Sequence, residues 1–342
     1  MSQRKLFEEV GEKGRAEQPR PETGAIARGQ RQPGRGLRLW LLALLVIVAA
    51  TVIIGGLGRL AGLAPGGATG GAAGSDPGVS LLVWAWQGGA GLAFAVWLVG
   101  FVAFRLAGHV PPGWGGRLFA IGPLSAALAA LGRWGDAGGG GGGGDGLGLA
   151  AHLGLAYGAF GLILWSLLAL RRSEAERMRA RRAGEGRLRR LASLALVLAL
   201  VQILLGGLLA ANGGGRMFAD WPLMEGRLLA PGAFELKPLW RNFLENPALV
   251  QFLHRLVAYV LVAVSLWAWL RARRSPNRAT RSAFAFAAIM VLIQAVLGIV
   301  SLMLGVPAHG AITHQLGALF SWLILIVARH QAAYPVTQSI RG

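Results

Sequence analysis

The sequence predicts an all-α membrane protein of eight transmembrane helices, arranged as two pseudo-symmetric four-helix bundles. Three observations carry that expectation. Apolar residues, 54% of the 342, fall into blocks of roughly 20, the length that crosses a hydrocarbon core at about 1.5 Å rise per residue. Basic residues crowd into alternate connections between the blocks. Features of the first four blocks recur at corresponding places in the last four.

Taken in order, residues 1–36 are polar and charge-mixed, with scattered Pro and Gly, and read as a disordered cytoplasmic tail lacking the apolar stretch of a signal peptide. Blocks at 37–58, 82–104, 115–132 and 149–170 make an N-terminal half, 37–170. Each block is too long and too uniformly apolar for a soluble amphipathic helix, although Pro123 and small residues interrupt the third. A basic cytoplasmic linker, 171–189, follows. Blocks at 190–211, 249–270, 282–304 and 311–330 make the C-terminal half, 190–330, and 331–342 is a second cytoplasmic tail.

The formal net charge of +19 does not point to nucleic acid, because no recognisable reading module accompanies it. Nine Lys/Arg lie in 1–38, nine in 171–190 and five in 271–281, while the other connections are poor in them or balanced. That pattern places both termini on the cytoplasmic side of the inner (plasma) membrane, with membrane lipid headgroups as the partners of the arginines. There is no cysteine, which excludes thiol catalysis, disulfides and thiolate ligation.

The repeat supports two halves of like orientation. Ile53-Ile54-Gly55-Gly56-Leu57 ends block 1, and Leu204-Leu205-Gly206-Gly207-Leu208 ends block 5. His152-Leu153-Gly154 opens block 4 as His314-Gln315-Leu316-Gly317 opens block 8. The Gly-Gly pairs also suit close helix approach. The repeated histidine is the stronger match, since an imidazole within a span is costly and usually functional. The outside loops differ between halves. Those of the first half are Gly/Ala tracts, including seven consecutive glycines at 138–144, whereas 212–248 carries Trp221, Met224, Phe234, Trp240 and Phe243 and reads as a lid.

His254 and His314 are the leading candidates for chemistry. Both lie a few residues into blocks that run the same way, so their depths agree within a few ångströms. Two neutral imidazoles at one depth suit the axial positions of one haem iron; the bland alternative is a pair of core histidines bonded to backbone carbonyls. Zinc would want further donors, and neither carboxylate nor cysteine lies at that depth. In the first half His152 takes the corresponding place, and Gln87 stands where a partner histidine would. Arg255 is expected to reach a haem propionate or to snorkel to headgroups. Gln202 and Gln294 are expected to bond between helices, and His109 and His330 to be solvated, with His309 in a short outside loop.

The segments Asp220-Trp221-Pro222-Leu223-Met224-Glu225-Gly226, Glu245-Asn246-Pro247 through Gln251-Phe252-Leu253-His254-Arg255, and His314-Gln315 resemble the second half of haem A synthases, specifically over about 190–330. The resemblance is moderate over 149–170, around His152, and slight over 37–135. It implies haem b held by His254 and His314 as axial ligands of the iron. It also implies haem O as the substrate of the first half, its C8 methyl oxidised to the formyl of haem A for terminal oxidase biogenesis. Haem O synthase and oxidase assembly factors would be partners. The family's Glu-x-x-His-Arg pattern at the start of the second span is absent here, where Val83-Trp84-Ala85-Trp86-Gln87-Gly88 stands. That departure motivates an alternative, a non-catalytic haem-binding homologue acting as haem carrier or assembly factor. A third reading is a cytochrome b-like electron carrier using a quinone.

Overall fold

A computed structural model describes residues 34–60, 77–136 and 145–336. The expected tail 1–36 up to residue 33, the Gly/Ala tract after the first span, glycines 138–144 and residues 337–342 lie outside the described residues. Among those described, all regular structure is helical. The helices are α1 (Arg35–Leu60), α2 (Pro77–Leu106), α3 (Gly115–Phe119), α4 (Ile121–Asp136), α5 (Asp145–Ala169), α6 (Glu174–Arg182), α7 (Gly186–Ala211), α8 (Pro247–Ala272), α9 (Arg278–Met303) and α10 (Ala308–Ala333).

Seven of these, α1, α2, α5, α7, α8, α9 and α10, are long and apolar enough to cross a membrane. This is a multi-pass membrane protein. The third expected span differs: it is split at Ala120 into α3 and α4, and its apolar part covers only Gly115–Leu131. Pro123 falls in the first turn of α4, where its missing N–H has no partner to lose. The other helices outrun their apolar blocks by one to five residues at most ends, because arginines such as Arg35 and Arg278 continue the helix where its side chains can reach polar surroundings.

Two closed circuits of packing are present. α1 packs on α2 and α5, and α4 touches both α2 and α5; likewise α7 packs on α8 and α10, and α9 on both of these. The circuits meet where α5 lies against α7 and α10, and α1 against α10. Small residues set these approaches. A Cβ on Gly207 would stand 2.9 Å from the Ala150 Cα across the α5–α7 crossing, so the repeated Gly-Gly pair does serve close approach. Gly56 leaves room for the Gln315 amide, which donates to the Val52 carbonyl and ties α10 to α1. Trp322 Nε1 donates to the Tyr157 carbonyl at 3.0 Å, joining α10 to α5. Large apolar side chains such as Val46, Val99, Val197, Phe286 and Val296 face outward, the arrangement a lipid solvent permits.

The basic end is clasped. In the expected linker, Ser173 and Glu176 form a capping box that starts α6, with bonds of 2.7 and 3.2 Å. The bonds from Ser173 hold the Glu176 carboxyl below the usual carboxylate range. The Glu185 backbone N–H donates to the Ala332 carbonyl, and its carboxylate accepts from Ser275 Oγ and Asn277 Nδ2. One residue thereby joins the α6–α7 connection, the α8–α9 turn and the end of α10. Trp114 is buried there, with the Arg177 and Arg117 guanidinium groups 5.0 and 5.3 Å from its ring.

At the opposite end, residues 212–246 fold into a cap on α8. Glu225 and Gly226, both with positive φ (52° and 74°), turn the chain so that Met224 and Arg227 exchange backbone hydrogen bonds. Met224 packs with Phe218, Ala230 and Ala248. Asn242 and Asn246 are both buried; Asn246 Nδ2 donates to the Gly232 carbonyl and to Asn242 Oδ1, while its Oδ1 caps the Ala248 and Leu249 N–H groups. Arg241 binds the Glu245 carboxylate and keeps it below its usual range; the pair is exposed and contributes little. Asn246→Ala removes both functions of that side chain. Its expected effect is a loss of about 2 kcal/mol, read as a lower unfolding midpoint in detergent and earlier protease cleavage within 212–246.

Candidate functional site

His254 and His314 are placed by where their helices begin. Asn246 caps α8 and Pro247 occupies its first turn, so His254 follows the helix start by seven positions. His314 follows Ala308, the start of α10, by six. At about 1.5 Å per residue the two sit about 9–10 Å into their helices. α8 and α10 stand on opposite corners of the α7–α10 circuit, each flanked by α7 and α9. Both imidazoles are half-buried.

Each imidazole is seated on a glycine of a flanking helix. A Cβ on Gly298 of α9 would stand 3.0 Å from His314 Cε1 and 3.5 Å from Nδ1. A Cβ on Gly206 of α7 would stand 3.4 Å from His254 Cε1 and 3.9 Å from Nδ1. Gln294, one turn before Gly298, donates its Nε2 to the His314 carbonyl at 2.7 Å and lies 3.1 Å from His314 Nδ1. Its Oε1 fits against Gly317, where any Cβ would collide with it. The glycine seats escaped the reading of the sequence, which took Gln294 only as a generic interhelical donor. The signal available was Gln-x-x-x-Gly, present in both α7 (Gln202, Gly206) and α9 (Gln294, Gly298).

Arg255 is engaged with the cap. Its two terminal nitrogens donate to the Leu223 and Phe218 carbonyls, each at 3.0 Å, and Gln251 Nε2 donates to the same Phe218 carbonyl at 2.9 Å. Trp221 Nε1 donates to Tyr259 Oη at 2.9 Å. The cap is therefore stitched to the helix face that also carries His254. An unpaired backbone carbonyl near the apolar layer is costly, and these side chains supply donors there.

The remaining candidates are placed as follows. His152 is half-buried in the second turn of α5. Gln87 falls in α2, but its side chain lies outside the described residues. His109 is exposed. His309 is exposed in the first turn of α10 rather than in a loop, because Pro307 starts that helix earlier than the apolar run suggested. His330, expected to be solvated, is buried at 4% exposure between Trp165 and Tyr334, at centroid distances of 5.1 and 5.2 Å. The chain beyond α10 folds back to make this possible, with Arg172 donating to the Tyr334 carbonyl at 2.9 Å.

Among the described residues no group of three or more His, Cys, Asp or Glu comes together. Two imidazoles at matched depth on opposite corners of one circuit, with no third such donor grouped with them among the described residues, suit a metal that brings its own equatorial ligands, as iron in a porphyrin does.

Comparison with known proteins gives one consistent result. A family model described as cytochrome oxidase assembly protein matches residues 84–326. The heme A synthase of Ruegeria pomeroyi is 40% identical, covering all of both chains. That of Dinoroseobacter shibae is 39% identical over 99% of this chain and 98% of its own, and that of Paracoccus denitrificans 37% over 100% and 99%.

Replacing Arg255 by Leu releases the Phe218 and Leu223 carbonyls while keeping an apolar stem. Limited proteolysis of the detergent-solubilised chain is expected to cut within 217–227 at least several-fold faster than in the unmodified protein, with the basic end unaffected.

Proposed function

The chain belongs to the haem A synthase family, and on that footing we propose that it is a membrane oxidoreductase that converts haem O to haem A, oxidising the C8 methyl to formyl for terminal oxidase biogenesis. The observation that carries the proposal is the pair His254 and His314, at matched depth on opposite corners of one helix circuit, each against a glycine. We read the two packing circuits as two four-helix bundles, counting α3–α4 as the eighth span, with 37–170 and 190–330 as the halves and 171–189 as the linker. Both termini lie in the cytoplasm and the membrane is the inner membrane, on the strength of the arginine distribution.

In this reading His254 and His314 hold haem b by its iron. The bound group would supply one-electron chemistry next to the substrate half. The protein's own contribution is binding, orientation and exclusion of water. Gly206 and Gly298 admit the imidazoles to the bundle wall, Gln294 fixes the rotation of His314, and Arg255 and Gln251 hold the cap over the α8 end of the site. Haem O is taken by the first half, with His152 and Gln87 the residues assigned to it.

A second reading has one specific observation behind it: Val83 to Gly88 contains neither glutamate, histidine nor arginine. On that reading the chain binds haem but passes it on unmodified, as a carrier or assembly factor. Co-expression with haem O synthase in a host lacking its own haem A synthase separates the two. Extracted haems are expected to include haem A; haem O accumulating alone, with haem b bound to the chain, contradicts the enzymatic reading and leaves the carrier.

A further inference from the structure

We infer that Gln202 is the positioning residue for His254, accepting from its Nδ1–H, and so matches the place that Gln294 holds beside His314. The inference rests on the haem reading of this pair. Three observations on two helices lead to it. Gln294 stands one turn before the glycine that seats His314 and reaches that imidazole, at 3.1 Å from Nδ1. Gln202 stands one turn before the glycine that seats His254, at identical spacing on α7, so both lie on one helix face. His254 Nδ1 and Gln202 Oε1 are each buried and without a hydrogen-bond partner.

A buried polar atom left unpaired costs on the order of 1–3 kcal/mol. The two atoms are of complementary type, a ring N–H and an amide oxygen, on helices that pack directly on each other, so a change of side-chain rotamer would let them satisfy each other. The chemistry of ligation selects that tautomer. An imidazole that gives its Nε2 lone pair to iron must carry its proton on Nδ1, and a carbonyl-type acceptor there fixes the ring plane and strengthens the donor nitrogen. At His314 the Gln294 amide holds the same place but donates, with its Nε2 bonded to the His314 carbonyl and 3.1 Å from Nδ1, so the match between the two glutamines is one of position. The two glutamines thus form a matched pair on the two helices that flank both ligand helices.

The test uses the full chain purified with haem b bound, comparing Gln202→Met, which keeps volume and loses the acceptor, with Gln202→Glu, which keeps an acceptor. Haem transfer to excess apomyoglobin gives the dissociation rate, and spectroelectrochemistry gives the reduction potential. Gln202→Met is expected to lose haem about tenfold faster or more and to show a raised potential, because the imidazole becomes a poorer donor. Gln202→Glu is expected to hold haem as the unmodified chain does. Gln331→Met serves as the control, since Gln331 Oε1 is also buried and unpartnered but lies near the other end of α10. Unchanged rate and potential in Gln202→Met, or equal changes in the Gln331→Met control, overturn the inference. His254→Ala decides the underlying reading separately: loss of low-spin haem there upholds the site whichever way Gln202 behaves, and its retention removes both.

Discussion

Everything in the second half of this protein is arranged around the difficulty of keeping two imidazoles inside a ring of apolar helices. In a span the backbone carbonyls are already engaged in the helix ladder, and water is not at hand. An imidazole there needs a partner that reaches it from a neighbouring helix. α9 provides it with Gln294, one turn from the glycine on which the His314 ring lies, and α7 repeats the spacing with Gln202 and Gly206 beside His254. Volume and polarity are supplied by separate residues, so the helices can stay close while the rings keep their hydrogen-bonding edge.

Depth is fixed from both ends. At the lid end Asn246 starts α8 and simultaneously binds the cap through Gly232 and Asn242, so the register of His254 and the fold of the cap depend on one side chain. At the basic end Glu185 holds the α8–α9 turn and the end of α10 together. Sliding α8 against α10 by even one turn, about 5.4 Å, would break one of these sets and take His254 out of level with His314. The cap closes the arrangement through Arg255, which directly follows His254 and binds the Phe218 and Leu223 carbonyls.

The spans were legible because a run of about 20 apolar residues has few other uses, and the arginine-rich connections marked their ends. The interruption of the third block was legible in Pro123 and its small residues, but the place of the break, Ala120, was not. His254 and His314 stood out in the sequence through the cost of their type in that setting. Their seats did not, since Gly206 and Gly298 acquire meaning only when α7 and α9 are placed against α8 and α10. The cap bonds of Arg255 and the burial of His330 were not legible for a related reason. The Phe218 and Leu223 carbonyls, and the Tyr334 turn that covers His330, are brought near by folding over stretches that carry no sequence periodicity. The capping box at Ser173 and Glu176 was readable as Ser-x-x-Glu and passed unnoticed within a segment defined by its charge.

The halves are unequal in what their sequences retain. The second has a paired site, an ordered cap and side chains that join them; the first has His152 and, across its own circuit, a glutamine where a histidine would be expected. The account stands on the axial ligation of the iron in the second half. Near-infrared magnetic circular dichroism of the purified oxidised chain reads that ligation directly. The account predicts the charge-transfer band of a low-spin ferric haem with two imidazole ligands; a high-spin spectrum, or one from any other ligand pair, would contradict it.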